Sequence, residues 1–197
     1  MTKDQLYNEL NYVNATRECR AKYANIVLAD SELVNPLIEI LFMVNDKIST
    51  RAAWILEFAC KENINLILPH LNYFVANLSK LQLDSAIRPC AKIIEIIIEL
   101  NYKKHDPRIL KYLNTEHKEQ IIAVSFDWMI NDEKVAVKAY SMATLYYLGT
   151  EFDWIHEELK LILQRDYSHQ SSGFKARAKY VLKMLGVIVP KCHSKNN

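Results

Sequence analysis

Four basic residues recur at related points along the chain: Arg51, Arg88, Lys138 and Arg177, separated by 37, 50 and 39 residues. Each opens a run of small and apolar residues, as in Arg51-Ala52-Ala53-Trp54-Ile55-Leu56 and Arg177-Ala178-Lys179-Tyr180-Val181-Leu182. Such a ladder can form a positive stripe for an anionic ligand. It can also pair each cation with an acid at the turn of a neighbouring unit, and Asp46, Asp84 and Asp132 are available for that role. Structural pairing is the favoured expectation. A second cationic set, Lys175, Lys179 and Lys183, stands beside Arg177. Residues 168–197 hold 6 Lys and Arg and no acid, whereas residues 1–167 hold 19 basic against 23 acidic residues. Cations suit the C-terminal end of a helix dipole, so a solvated end helix accounts for them. The functional reading is a docking patch for an acidic protein partner or for nucleic acid. A duplex-binding surface usually carries basic residues along a whole face, and these are confined to one end.

Other reactive residue types give weaker signals. Phe126-Asp127-Trp128 and Phe152-Asp153-Trp154 are identical tripeptides. The first falls late in an expected helix and the second at the start of one, so the positions are not equivalent. The six histidines show no His-Glu-x-x-His spacing and no metal-ligand pairing, so no metal or cofactor is expected. Glu116, Glu119, Glu157 and Glu158 lie in highly charged helical stretches and are expected to face solvent. Cys19, Cys60, Cys90 and Cys192 have no close pairing, and reduced thiols are expected.

Helices must place these groups. Half of the 197 residues are apolar and 24% are charged, with only 3 glycines and 5 prolines. That composition excludes a disordered chain, a turn-rich sandwich or barrel, and a Gly-rich nucleotide loop. Leu33, Leu37, Ile40, Leu41 and Val44 follow helical spacing, as do Ile55, Leu56 and Ala59, and Leu159, Ile162 and Leu163. No stretch alternates with period two. The pattern predicts helices over 3–13, 15–29, 32–45, 49–62, 64–80, 85–101, 107–113, 116–130, 133–148, 152–166 and 173–185. Ser31, Asp84, Asp106-Pro107, Asp132 and Ser171 or Ser172 are the expected starts, and Gly149 and Gly186 the expected stops. Trp54 lies in an apolar run and is expected in the core. No apolar run is long enough to span a bilayer, and residues 1–15 lack a signal-peptide core, so a cytoplasmic protein with no membrane partner is expected.

The helices come in similar pairs. First helices carry Leu33-Val34-Asn35-Pro36-Leu37-Ile38 and Leu66-Ile67-Leu68-Pro69-His70-Leu71, whose prolines are 33 residues apart. Second helices carry the basic ladder. A period near 40 built from two antiparallel helices is a solenoid signature. Asp132-Glu133-Lys134-Val135-Ala136-Val137-Lys138-Ala139, continued to Leu148-Gly149, resembles the second half of a HEAT repeat. The resemblance covers residues 31–186 in four units, with the segment 102–114 as an insertion. It implies an all-α, right-handed α-α superhelix of HEAT-like hairpins. Residues 1–30 are expected to form a helical cap joined to it in one domain, and residues 187–197 a flexible basic tail. Repeat proteins of this kind are binding scaffolds, so a protein partner on the concave surface of the second helices is the expected function.

Two enzyme resemblances stand beside that one. The chain is similar to short bacterial helical-repeat proteins that carry the label adenylosuccinate lyase. It has none of that superfamily's Ser- and Gly-containing loop with Met-Pro-x-Lys, and Gly173 is followed by Phe174-Lys175-Ala176. Purified protein is therefore expected not to cleave adenylosuccinate. A Trp with nearby Asp and Arg on a concave helical surface also resembles the HEAT-like alkylpurine DNA glycosylases, where aromatics cradle a damaged nucleotide. Asp127, Trp128, Asp153, Trp154 and Arg177 are the candidates for such a site, and they do not match that family's order and spacing.

Overall fold

The computed structural model describes residues 1–187, so the expected basic tail lies, beyond Val187, outside the described residues. The helices are α1 (Lys3–Leu10), α2 (Arg17–Ala29), α3 (Val34–Leu41), α4 (Lys47–Glu62), α5 (Leu71–Asn77) and α6 (Asp84–Tyr102). They continue with α7 (Pro107–Tyr112), α8 (Thr115–Ile130), α9 (Val135–Leu148), α10 (Trp154–Asp166) and α11 (Ser172–Met184). Among the described residues there is no strand.

The apolar stripes dictate two layers. In the second-helix layer α2 packs on α4, α4 on α6, α6 on α9 and α9 on α11. In the first-helix layer α1 packs on α3 and α5 on α8. One hydrophobic core runs without a break from Leu6 to Leu182. It includes Leu10, Ala24 and Val27 of the first hairpin, so residues 1–30 share the core of the units that follow. Each hairpin is too small to bury its apolar face alone, and stacking supplies the missing cover. The helix α9 is buried around most of its circumference, with Val137, Ser141, Met142, Thr144, Leu145 and Leu148 all covered. Its neighbours α6, α8, α10 and α11 account for this.

Several ends follow the side-chain chemistry. Asp106 caps α7, accepting the Arg108 N–H at 3.0 Å, and Pro107 follows where no helical N–H is needed. Ser171 caps α11 through the Phe174 N–H at 3.3 Å. Gly186 has φ +72°, the left-handed conformation that glycine adopts at no steric cost.

Other boundaries correct the sequence expectation. The segment 64–80 is not one helix. Short 3-10 turns at Ile64–Leu66, Leu68–His70 and Leu78–Lys80 flank α5. Pro69 lacks the N–H that would bond the Asn65 carbonyl, and its ring crowds that turn, so the α-helical ladder is weakened there and the chain takes 3-10 turns instead. Likewise α3 ends at Leu41 rather than 45. Asp132 caps nothing: the turn that closes α8 consumes it, with the Glu133 N–H donating to the Asn131 carbonyl at 2.8 Å, and α9 begins at Val135. Asp84 is the first residue inside α6.

One buried titratable group gives a pH prediction. His117 is covered and completes a reciprocal cap of α8. Its N–H donates to Asn114 Oδ1 at 2.8 Å, and its Nδ1 accepts the Asn114 N–H at 3.3 Å. Burial holds its pKa below the usual histidine value. The unfolded chain therefore binds the proton more readily, so this stability is present above about pH 6.5 and is lost as pH falls through the folded value. His117→Gln keeps a capping-box residue but removes the titration. Urea unfolding at pH 7.5 and 5 should show a smaller loss in the variant than in the parent. An equal loss would assign the pH dependence to other groups.

Candidate functional site

The second helices leave an open groove of about 530 Å³ between α2, α4 and the start of α6. The half-buried aromatics Trp54 and Phe58 form its floor, one turn apart on α4. Trp54 is thus only partly in the core that its apolar neighbours suggest: it packs against the core and is half-buried. Ala52, Ala53, Ile55 and Leu56 take the covered positions, and the indole faces the groove.

A backbone defect holds the indole there. Pro89 sits inside α6 and has no N–H, so the Ser85 carbonyl has no partner four residues on. Trp54 Nε1–H donates to that carbonyl at 3.1 Å. The proline creates an acceptor on one repeat, and the tryptophan of the preceding repeat fills it.

Charges surround the aromatics. The Arg20 guanidinium lies over the Trp54 ring at 4.6 Å and near Phe58 at 5.7 Å, within cation–π range. It donates to the Ala15 carbonyl through Nη2, and its Nε is buried without a partner. Glu57 is 1% exposed on α4. Arg88 Nη2 approaches its Oε2 at 2.7 Å and Lys61 Nζ its Oε1 at 2.5 Å. Lys134 meets Asp84 at the rim, at 3.3 Å. The lining therefore carries four cations and two carboxylates. Beneath it Cys60 and Cys90 are buried, and their thiol pKa values are pushed up, first by burial and then by the Glu57 charge. Neither is activated as a nucleophile.

The basic ladder divides. Arg88 lines the groove. Arg51 Nη1 donates to the Leu10 carbonyl of α1 at 3.1 Å. Lys138 is buried in α9, near Glu133 and Asp166. Arg177 reaches from α11 past α9 to Glu95 of α6 at 3.2 Å, and Lys92 holds the same carboxylate. The turn acids are not the partners of the ladder. Asp46 instead caps α4 and accepts Tyr7 Oη at 2.6 Å. Two members of the ladder, Arg88 and Arg177, pair instead with Glu57 and Glu95, 38 residues apart in the second helices. An isolated Glu in each of two apolar runs, at the repeat period, was the signal that could have found them. On α11, Lys179 and Lys183 are exposed and Lys175 is half-buried.

The tripeptide residues do not converge. Trp128 is buried at 5% exposure, while Trp154 is 56% exposed and stacks on Phe126 at 5.7 Å. Asp127 and Asp153 are exposed, on and beside first-layer helices, whereas Arg177 belongs to the second layer. Among the described residues no helix is long and apolar enough to cross a membrane.

The family model for the HEAT repeat domain matches residues 6–185. No curated protein and no solved structure matches the chain. The match runs from α1 into the turn after α11, over paired helices that share one core, and the chain therefore belongs to the HEAT repeat family.

Proposed function

We propose that the chain is a non-catalytic HEAT repeat scaffold of the cytoplasm that binds a protein partner on its second-helix face, at the groove of α2, α4 and α6. One observation carries the reading: Trp54, Phe58, Arg20 and Arg88 converge in an open groove. Trp and Arg in partly desolvated clefts are the residue types that dominate binding energy at protein interfaces. The hairpin of residues 1–30 contributes Arg20 and closes one end of the array as its cap. Arg51, Lys138 and Arg177 serve the stacking of repeats. Nucleic acid is the second partner class, through Lys175, Lys179 and Lys183. The charge balance disfavours it, because residues 1–167 carry a net negative charge that repels a phosphate backbone.

Affinity capture from source cells tests the reading. Parent protein, a groove variant (Phe58→Ala with Arg20→Gln) and a first-layer variant (Trp154→Ala) serve as baits, each checked for a normal melt. A protein retained by the parent and the first-layer variant but lost from the groove variant is the expected result. A partner lost only from the first-layer variant would move the binding face to the opposite layer.

A further inference from the structure

We propose that the groove of α2, α4 and α6 takes an acidic peptide segment of the partner, with Arg20 as the residue that meets its carboxylate. This rests on the groove being the partner-binding face and adds the chemistry of what enters it.

The argument is one of charge left over. The Glu57 carboxylate is answered by Arg88 and Lys61, and Asp84 by Lys134. Arg20 is different: no ion pair among the described residues involves it. Its charge rests on the Trp54 and Phe58 faces, and a backbone carbonyl takes one of its donors. A guanidinium held over aromatic rings and by a backbone carbonyl is already ordered, so a carboxylate gains a charge-assisted bond at little entropic cost. The neighbouring depression shares Arg20, Phe58 and Lys61 with the groove and adds Arg17 and one acid, Glu62, so a net positive surface continues past one end.

The scale of the surplus favours a peptide over a nucleic acid. Two cations in excess line the groove, which suits a few carboxylates. A phosphate backbone would run beyond it, onto a chain whose first 167 residues are net negative.

Fluorescence anisotropy with defined probes tests this. The probes are a labelled twelve-residue peptide of Glu and Asp around one Leu, the same peptide with Gln and Asn in place of the acids, and a twelve-residue oligothymidylate. At about 150 mM salt the acidic peptide should bind. The neutral peptide and the oligothymidylate should bind at least ~10-fold more weakly. Arg20→Gln should weaken the acidic peptide ~10-fold or more, Arg20→Lys less, and Lys179→Gln with Lys183→Gln little. Equal binding by parent and Arg20→Gln, or loss of binding only in the α11 variant, would overturn the proposal. Tighter binding of the oligothymidylate that Arg20→Gln abolishes would make the groove a nucleic-acid site. Failure of the peptide, together with groove-dependent capture of a protein, would refute the acidic chemistry and leave the binding face standing.

Discussion

Arg88→Met should cost the fold about 3 kcal/mol, the low end for breaking a buried ion pair, because Lys61 remains beside Glu57. The Glu57 side chain is 1% exposed, so its carboxylate cannot turn to water when Arg88 is lost. The double variant Glu57→Leu with Arg88→Met should sit within about 1 kcal/mol of the parent, because neither charge is left buried and apolar groups fill the space. Lys61 is 40% exposed and can reach solvent once Glu57 is gone. Urea unfolding followed by circular dichroism reads both quantities. The sign of the coupling decides the matter: the double variant should be more stable than Arg88→Met alone. Costs that simply add would mean that α4 and α6 are not locked together by this pair.

A second large effect is expected at Gly149. Its φ is −64°, which any residue adopts, so the backbone does not demand glycine. The space does. A Cβ built there falls 2.0 Å from His156 Cδ2 and 2.4 Å from Nε2. The ring cannot swing aside freely, because it stacks on Tyr146 with centroids 5.6 Å apart and its Nε2 lies 2.8 Å from the Tyr146 carbonyl. Gly149→Ala should therefore cost about 2–3 kcal/mol by overpacking. In a His156→Ala background the same change should cost less than about 0.5 kcal/mol, because at this right-handed φ alanine loses less backbone entropy on folding than glycine. A full cost in both backgrounds would contradict the close approach of α9 and α10 at this point.

The helices and their pairing were legible because burial enforces their spacing. Leu33, Leu37, Ile40 and Leu41 are all buried where the period places them. The break at 64–80 was legible only in Pro69, whose presence is compatible with either a helix start or a helix interruption. The groove was harder to see for three physical reasons. Arg20 belongs to the N-terminal hairpin, outside the basic ladder. Trp54 is flanked by buried residues, and linear hydrophobicity does not say which way a residue between two packed helices turns. The Ser85 carbonyl that anchors it is a backbone group, freed by a proline on another repeat. The ladder itself is visible in the sequence, but Glu57 and Glu95 sit in the middle of apolar runs, where hydrophobic periodicity marks core and not charge pairing.

Hydrogen exchange of the chain with and without its captured partner tests the groove as the binding face most directly. Slowed exchange should appear in α2 around Arg20, in α4 from Trp54 to Lys61, and in the first turns of α6 near Ser85 and Arg88, with α8 and α10 unchanged. Slowed exchange confined to α8 and α10, where Phe126 and Trp154 stack, or to α11 with its exposed lysines, would contradict it.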